Sequence, residues 1–284
     1  MKTVDRILKS IQNIPAFPVT AQRVAELMKD PDYSVSQVVN VIKYDPSITA
    51  NILKICNSAY FGVRKISTLH NAVVFLGQEN IIRAIQVSGI SRFFKRNVSG
   101  YGLQAHDLWK HSVGVALMTQ ILSRKISGRD DSTLFTAGLL HDIGKTILSE
   151  FVSDSSQKIL DLVDQGYSFL KAEEEVIGMN HAEVGGRIAQ NWNFPPEIRN
   201  AIKFHHRPDL MESGGSRFCW IVYLADQVCI IMGIGGGKDG LAYWGLKEVI
   251  DILKIHQKDL ELGMVELLKD LESAQDLINI IKNG

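Results

Sequence analysis

Hydrophobic residues in this chain recur at steps of three and four, and nowhere alternate over a stretch long enough to demand a sheet. Val35, Val38, Val39 and Ile42 form one such stripe; Ile48, Ile52, Leu53 and Cys56 form the next. That period puts the apolar side chains on one side of a helix, where a neighbouring helix can cover them. Asp30-Pro31-Asp32 and Asp45-Pro46-Ser47 supply helix starts, because proline is tolerated in the first turn. After Pro15, Pro18, Pro31 and Pro46 no proline occurs until Pro195, an interval that permits uninterrupted helices. The pattern predicts an all-α protein.

Breaks in the periodicity predict its organisation. Asn97-Val98-Ser99-Gly100-Tyr101-Gly102 has turn chemistry and marks a joint between subdomains. Ile234-Gly235-Gly236-Gly237-Lys238-Asp239-Gly240 reads as a flexible connection; a phosphate-cradling loop would need a preceding strand and a spacing that are absent. The expected division is an N-terminal helical subdomain over 1–100, a helical bundle over 101–234 and a C-terminal helical extension over 235–284. In that extension the stripes Val249-Ile250-Leu253 and Met264-Leu267-Leu268 are expected to pack on the core. Ser127 to Ser132 reads as a surface loop, and Asn57-Ser58-Ala59-Tyr60-Phe61-Gly62 as a break whose two aromatics fill core.

With 45% apolar and 22% charged residues in 284, the composition is that of a globular chain with an ample core. Lysine plus arginine balances aspartate plus glutamate at 31 each, which argues against a general grip on nucleic acid or anionic lipid. The most basic stretch, Arg92-Phe93-Phe94-Lys95-Arg96, reads as a solvated helix end. Cys56, Cys219 and Cys229 lack zinc-type pairing and are expected as reduced core residues of an intracellular protein. Met1 to Pro15 has no continuous apolar centre. The most apolar window, Cys219 to Ile234, is interrupted by Asp226 and Gln227 and is too short for a bilayer. The expected location is the cytoplasm, away from membranes.

The candidate chemistry centres on Ala137-Gly138-Leu139-Leu140-His141-Asp142-Ile143-Gly144-Lys145. Burying its leucines and isoleucine would take His141 and Asp142 out of water, and a desolvated carboxylate needs a strong partner. Asp107 and His111 share a helix face, thirty residues before the His141-Asp142 pair. His181 opens a later helix, His205 and His206 close another, and Asp226 interrupts an apolar one. His70, His106 and His256 read as capping or surface groups. Imidazoles and carboxylates on successive helices suit borderline to hard cations, and a helical bundle can project them to a shared core site. The expected ligands are Asp107, His111, His141, Asp142, His181, His205, His206 and Asp226. One or two divalent ions would be held, with iron, manganese, zinc and magnesium as candidates. Two metals bridged by an aspartate could hold a hydroxide and clamp a phosphate, with Lys145 facing the developing negative charge.

This order of residues resembles the HD superfamily of metal-dependent phosphohydrolases. More closely, it is similar to the bacterial HDOD (HD-related output domain) family, through Ile14-Pro15-Ala16-Phe17-Pro18, Asp45-Pro46-Ser47-Ile48-Thr49, Asn57 to Gly62, Leu76-Gly77 and Leu140-His141-Asp142. The resemblance covers roughly residues 8 to 230. It implies an HD-like bundle carrying an N-terminal helical subdomain, and a signalling or regulatory role with partner proteins. Many HDOD members lack the metal ligands of true hydrolases, whereas this sequence keeps them. In the related HD-GYP cyclic-di-GMP phosphodiesterases a carboxylate precedes the first histidine by four, the place that Asp107 occupies. Their double histidine leads to an acidic residue and a Gly-Tyr-Pro segment; here His206 is followed by Arg207-Pro208-Asp209, which argues against cyclic-di-GMP hydrolysis. Three readings remain open: a signalling protein with a retained metal site, an active phosphohydrolase on a nucleotide or cyclic dinucleotide, and a non-catalytic interaction scaffold.

Overall fold

The structure, a computed structural model, describes residues 3–28, 30–57, 66–211, 216–235 and 246–274. Among them there are helices and turns and no strand, as the periodicity predicts; the one ladder-like contact is an isolated bridge between Val98 and Leu103. No helix among them is long and apolar enough to cross a membrane. By packing, the chain divides into two compact units, one formed by Met1–Pro15 and Phe93–Leu267, the other by Ala16–Arg92 and Leu268–Gly284.

The smaller unit contains α2 (Val19–Leu27), α3 (Val35–Ile42), α4 (Pro46–Cys56) and α5 (Leu69–Ile90). Its starts are built as the sequence indicates. Ser34 and Gln37 cap α3 reciprocally, each satisfying the other's backbone N–H. Asp45 Oδ1 accepts the Ile48 N–H at 3.0 Å, with Pro46 in the first turn of α4. The predicted stripes bury Val38, Ile42, Ile48, Ile52 and Cys56. Gly77, at φ 69°, interrupts the helical path of α5; that left-handed conformation is open to glycine at little cost.

The larger unit is organised about α6 (Ala105–Ser127), whose residues from Leu108 to Ser123 are almost all buried. A helix buried on every side belongs in the centre of its domain. α7 (Ser132–Leu140) lies directly on it: a Cβ at Gly138 would stand 3.0 Å from Ala116 Cα. Then follow α8 (Lys145–Asp154), α9 (Ser156–Asp164), α10 (Phe169–Ile177), α11 (His181–Asn191), α12 (Pro196–Phe204) and α13 (Arg217–Ile231). α14 (Leu246–Leu253) packs on α13, burying Val249 and Leu253. α15 (Gln257–Ser273) buries Leu267 while Leu268 is exposed. Cys56, Cys219 and Cys229 are buried free thiols.

Two of the expected divisions differ from the packing. The first helix, α1 (Thr3–Gln12), belongs with the larger unit and not with residues 16–92. It buries Ile7 and Ile11 there, Asn191 Nδ2 donates to Ile11 O at 3.1 Å, and Trp192 Nε1 donates to Pro15 O at 3.0 Å. The boundary falls at Phe93, ahead of the glycine-containing joint, because that joint is not loose. It winds into a 3-10 turn, Ser99–Tyr101, and the Gly100 N–H donates to Ser149 Oγ at 3.2 Å. A Cβ at Gly100 would run into Ser149 O, so only glycine admits this approach. The basic stretch also turns inward in part: Phe94 is fully buried against Trp109, and Phe93 stacks near Trp192 with ring centres 4.7 Å apart. Residues 58–62 of the expected aromatic break and 236–240 of the expected glycine connection lie outside the described residues.

If α1 is part of the larger core, Ile7→Ala should lower its stability by about 2–5 kcal/mol, the usual cost of emptying a packed aliphatic site. A denaturant midpoint unchanged from wild type would detach α1 from that core.

Candidate metal centre

Five helices and one turn deliver the candidate ligands. His111 projects from α6, His141 caps α7, Asp142 follows it in the turn to α8, and His181 is the first residue of α11. His205 caps α12, His206 comes next, and Asp226 sits within α13. Glycine lets the chain close up here. A Cβ on Gly144 would run into His181 O and stand 2.7 Å from Gly185 N, so the turn after Asp142 abuts the start of α11. A Cβ on Gly185 would in turn meet Ile202 of α12 at 2.8 Å.

The side chains converge. Asp142, His181, His205 and His206 can each offer a ligand atom within 4.8 Å of the others, and so can His111, His141 and Asp226. Asp142 lies between the two sets. Its Oδ2 is 3.4 Å from His141 Nε2 and 3.8 Å from His111 Nε2, while its Oδ1 is 3.6 Å from both His181 Nε2 and His205 Nε2. Asp226 Oδ1 is 3.0 Å from His111 Nε2 and 3.6 Å from His141 Nε2. Lys145 Nζ donates to Asp142 Oδ2 at 2.7 Å.

The imidazoles are aimed by their other nitrogens. Nδ1 of His111, His141 and His205 faces the carbonyls of Ile234, Gly138 and Ile202 at 2.8, 2.7 and 2.7 Å. A carbonyl only accepts, so each Nδ1 carries the proton and each Nε2 turns inward, the arrangement found around metal-binding histidines. His181 Nδ1 faces the Glu173 carboxylate at 2.7 Å instead, and its Nε2 meets His206 Nε2 at 2.8 Å. Among the described residues, His141 Nε2, Asp142 Oδ1 and His205 Nε2 are buried without a hydrogen-bond partner. Buried polar atoms are seldom left so, and three unpaired lone-pair donors facing one space fit a cation.

Burial and charge set the protonation. Burial pushes the Asp142 carboxyl up, but the Lys145 ammonium and His141 outweigh it and hold it well below its ordinary value. Asp226 is likewise held low against burial by His111 and His141. With no cation bound, burial pulls the His141 imidazole down, yet Asp142 and Asp226 raise it to about 10, so its Nε2 carries a proton that a metal ligated there would displace. His181 is raised as well, Glu173 overcoming burial. His205 and His206 are lowered, chiefly by burial and then by the neighbouring imidazoles, and stay neutral.

Asp107 does not join the group. Its carboxylate occupies the first turn of α6, accepts the Gln104 N–H at 3.2 Å, and is 46% exposed. A carboxylate in the first turn of a helix is held by free N–H groups and the helix dipole, and here that local pull decides its direction. The sequence reading also missed Glu173. Fully buried on α10, it accepts hydrogen bonds from the Tyr101 hydroxyl and from the backbone and ring of His181. The signal was available: Phe169, Ala172, Glu173 and Ile177 are the buried positions of α10, so an acid stands in an apolar stripe.

The family profile of the HDOD domain matches residues 14–208. The chain belongs to the HDOD family. A solved HDOD domain protein of unknown function from Geobacter sulfurreducens superposes with a TM-score of 0.74 at 24% identity, covering 99% of this chain and 96% of that one. At that identity the likeness is one of fold. An uncharacterised protein of Treponema pallidum is 24% identical over 214 residues, 72% of this HDOD chain and 40% of the relative. Ribonuclease Y of Deinococcus radiodurans is 29% identical over 124 residues, 44% of this chain and 16% of that enzyme. The chain thus spans well under half the length of these curated relatives.

The His141 shift carries a sign that can be measured. A group raised from 6.5 to about 10 in the folded protein stabilises it fully below pH 6.5 and loses that contribution as pH rises through 10. After chelator treatment the HDOD protein should therefore show a falling thermal midpoint between those pH values. A midpoint that is flat or rises over the interval would remove His141 from the carboxylate pair.

Proposed function

We propose that this protein is a bacterial HDOD signalling or regulatory protein whose bundle retains an HD-type centre for one or two divalent metal ions. The observation that carries the reading is the set of buried, unpaired atoms His141 Nε2, Asp142 Oδ1 and His205 Nε2, flanked by imidazoles whose outer nitrogens are already engaged. His111, His141 and Asp226 would hold one ion, and His181, His205 and His206 the other, with Asp142 serving both. Ligand sets this rich in imidazole suit iron or zinc better than magnesium.

Such a centre supplies Lewis-acid polarisation of a bound phosphate. The chain's own groups prepare it. Lys145, itself 4% exposed, keeps Asp142 anionic through the 2.7 Å hydrogen bond, and the main-chain carbonyls fix the ring tautomers. The resemblance to ribonuclease Y and the two adjoining ligand sets favour a second reading, hydrolysis of a phosphorylated small molecule, a nucleotide or a cyclic dinucleotide. Depth weighs towards the regulatory reading: His141 and His205 are wholly buried, and His206, at 9%, is the most exposed member. A substrate phosphate would have to reach ligands that the folded chain almost closes off from water. In the regulatory role the metal braces the fold, and partner proteins read its surface.

Protein purified without chelators should carry one to two equivalents of a divalent metal by elemental analysis, and Asp142→Asn should carry less. Absence of stoichiometric metal would falsify the centre. Phosphomonoesters and phosphodiesters screened with manganese and iron should then turn over equally slowly in wild type and Asp142→Ala. A rate present only in the wild type would replace the regulatory reading with the hydrolytic one.

A further inference from the structure

His181 is oriented differently from the other site histidines for which a main-chain partner is known. Where His111, His141 and His205 lean on carbonyls, His181 leans on a side-chain carboxylate. Glu173 Oε2 accepts both the His181 ring Nδ1–H at 2.7 Å and the His181 backbone N–H at 3.0 Å, while Oε1 accepts the Tyr101 hydroxyl. With both oxygens engaged, the carboxylate is fixed in rotation as well as position. Tyr101 is itself held firmly. It is fully buried, its ring meets His181 edge-on with centres 5.8 Å apart, and Lys145 Nζ lies 5.4 Å from its centroid.

We propose that Glu173 is the positioning residue for the second metal position, the one formed by His181, His205 and His206, with Tyr101 as its anchor. The inference rests on the two-ion form of the reading above. A full negative charge on Nδ1–H fixes the tautomer as a carbonyl does, and makes Nε2 a more basic donor. The first position, built on His111, His141 and Asp226, has its ring nitrogens aimed by the carbonyls of Ile234 and Gly138, so the two positions differ in what controls them. Because Tyr101 lies on the 3-10 turn near the start of the larger unit's main segment, that turn is tied to the second position through one hydroxyl.

Glu173→Gln tests this. A glutamine that keeps its oxygen on His181 preserves the tautomer but removes the charge. Flipped, its NH2 drives the ring to the Nε2–H form and withdraws the donor lone pair. Full-length metal-free wild type, Glu173→Gln and Tyr101→Phe are titrated with Zn2+ against a chromophoric chelator, and the ring tautomer of His181 is read by 15N NMR in the loaded proteins. The expected result is two equivalents in the wild type. In Glu173→Gln one of these should weaken by about 10–100-fold, the range typical of outer-shell partners of metal ligands, while the other is unchanged. Tyr101→Phe should weaken the same equivalent several-fold, and this variant decides the matter if Glu173→Gln does not fold. Two equivalents of unchanged affinity in the variants, or an equal loss at both, would overturn the positioning role and leave the metal centre standing. No metal, or a single equivalent, in the wild type overturns the inference too; no metal also removes the reading it rests on.

Discussion

A carboxylate with 1% of its surface exposed, Asp142, is the constraint around which the larger unit is arranged. Moving such a charge out of water costs several kcal/mol unless partners replace the lost solvent. One oxygen has the Lys145 ammonium; the other faces imidazole nitrogens at 3.6 Å, too far for hydrogen bonds and well placed around an ion. The apolar run before Asp142 makes this burial unavoidable, since Leu139, Leu140 and Ile143 are all fully buried beside it. Hydrophobic burial of the neighbours thus sets an electrostatic requirement that residues from distant helices meet.

Meeting that requirement needs close backbone approach, and this explains where small residues stand. Gly138 lets α7 lie against α6, Gly144 lets the turn after Asp142 touch the head of α11, and Gly185 lets α11 approach α12. Any side chain at Gly144 would meet main chain, which cannot yield as the end of a flexible side chain can. These glycines are part of the site although none bears a donor atom. The same logic makes the Ser99–Tyr101 turn a fixed element: Gly100 presses on α8, and Tyr101 delivers its hydroxyl to Glu173.

Membership of the HDOD family and a fold shared along nearly the whole chain with a Geobacter sulfurreducens protein establish the framework, not the chemistry. The chemistry comes from the particular side chains. Outer nitrogens tied to carbonyls or to Glu173, inner nitrogens turned to one space, and two carboxylates kept anionic make a coherent donor set. All of these side chains are buried, His206 being the most exposed at 9%.

Helical periodicity along the chain determined the fold class, because three- and four-residue spacing admits no other way of covering the apolar side chains. It also marked most of the donors: histidines and acids standing inside apolar runs are visible without coordinates, as His141, Asp142 and Asp226 show. Spacing could not tell whether an acid four residues from a histidine would turn inward. Asp107 shares a helix face with His111, but the free N–H groups of its own helix start hold it outward. Glu173 lies 72 residues from Tyr101 and 8 from His181, and its role exists only because α10, α11 and the 3-10 turn meet. The place of α1 was hidden for the same reason. Ile7 and Ile11 stand four apart, and only the packed bundle could say which surface would cover them.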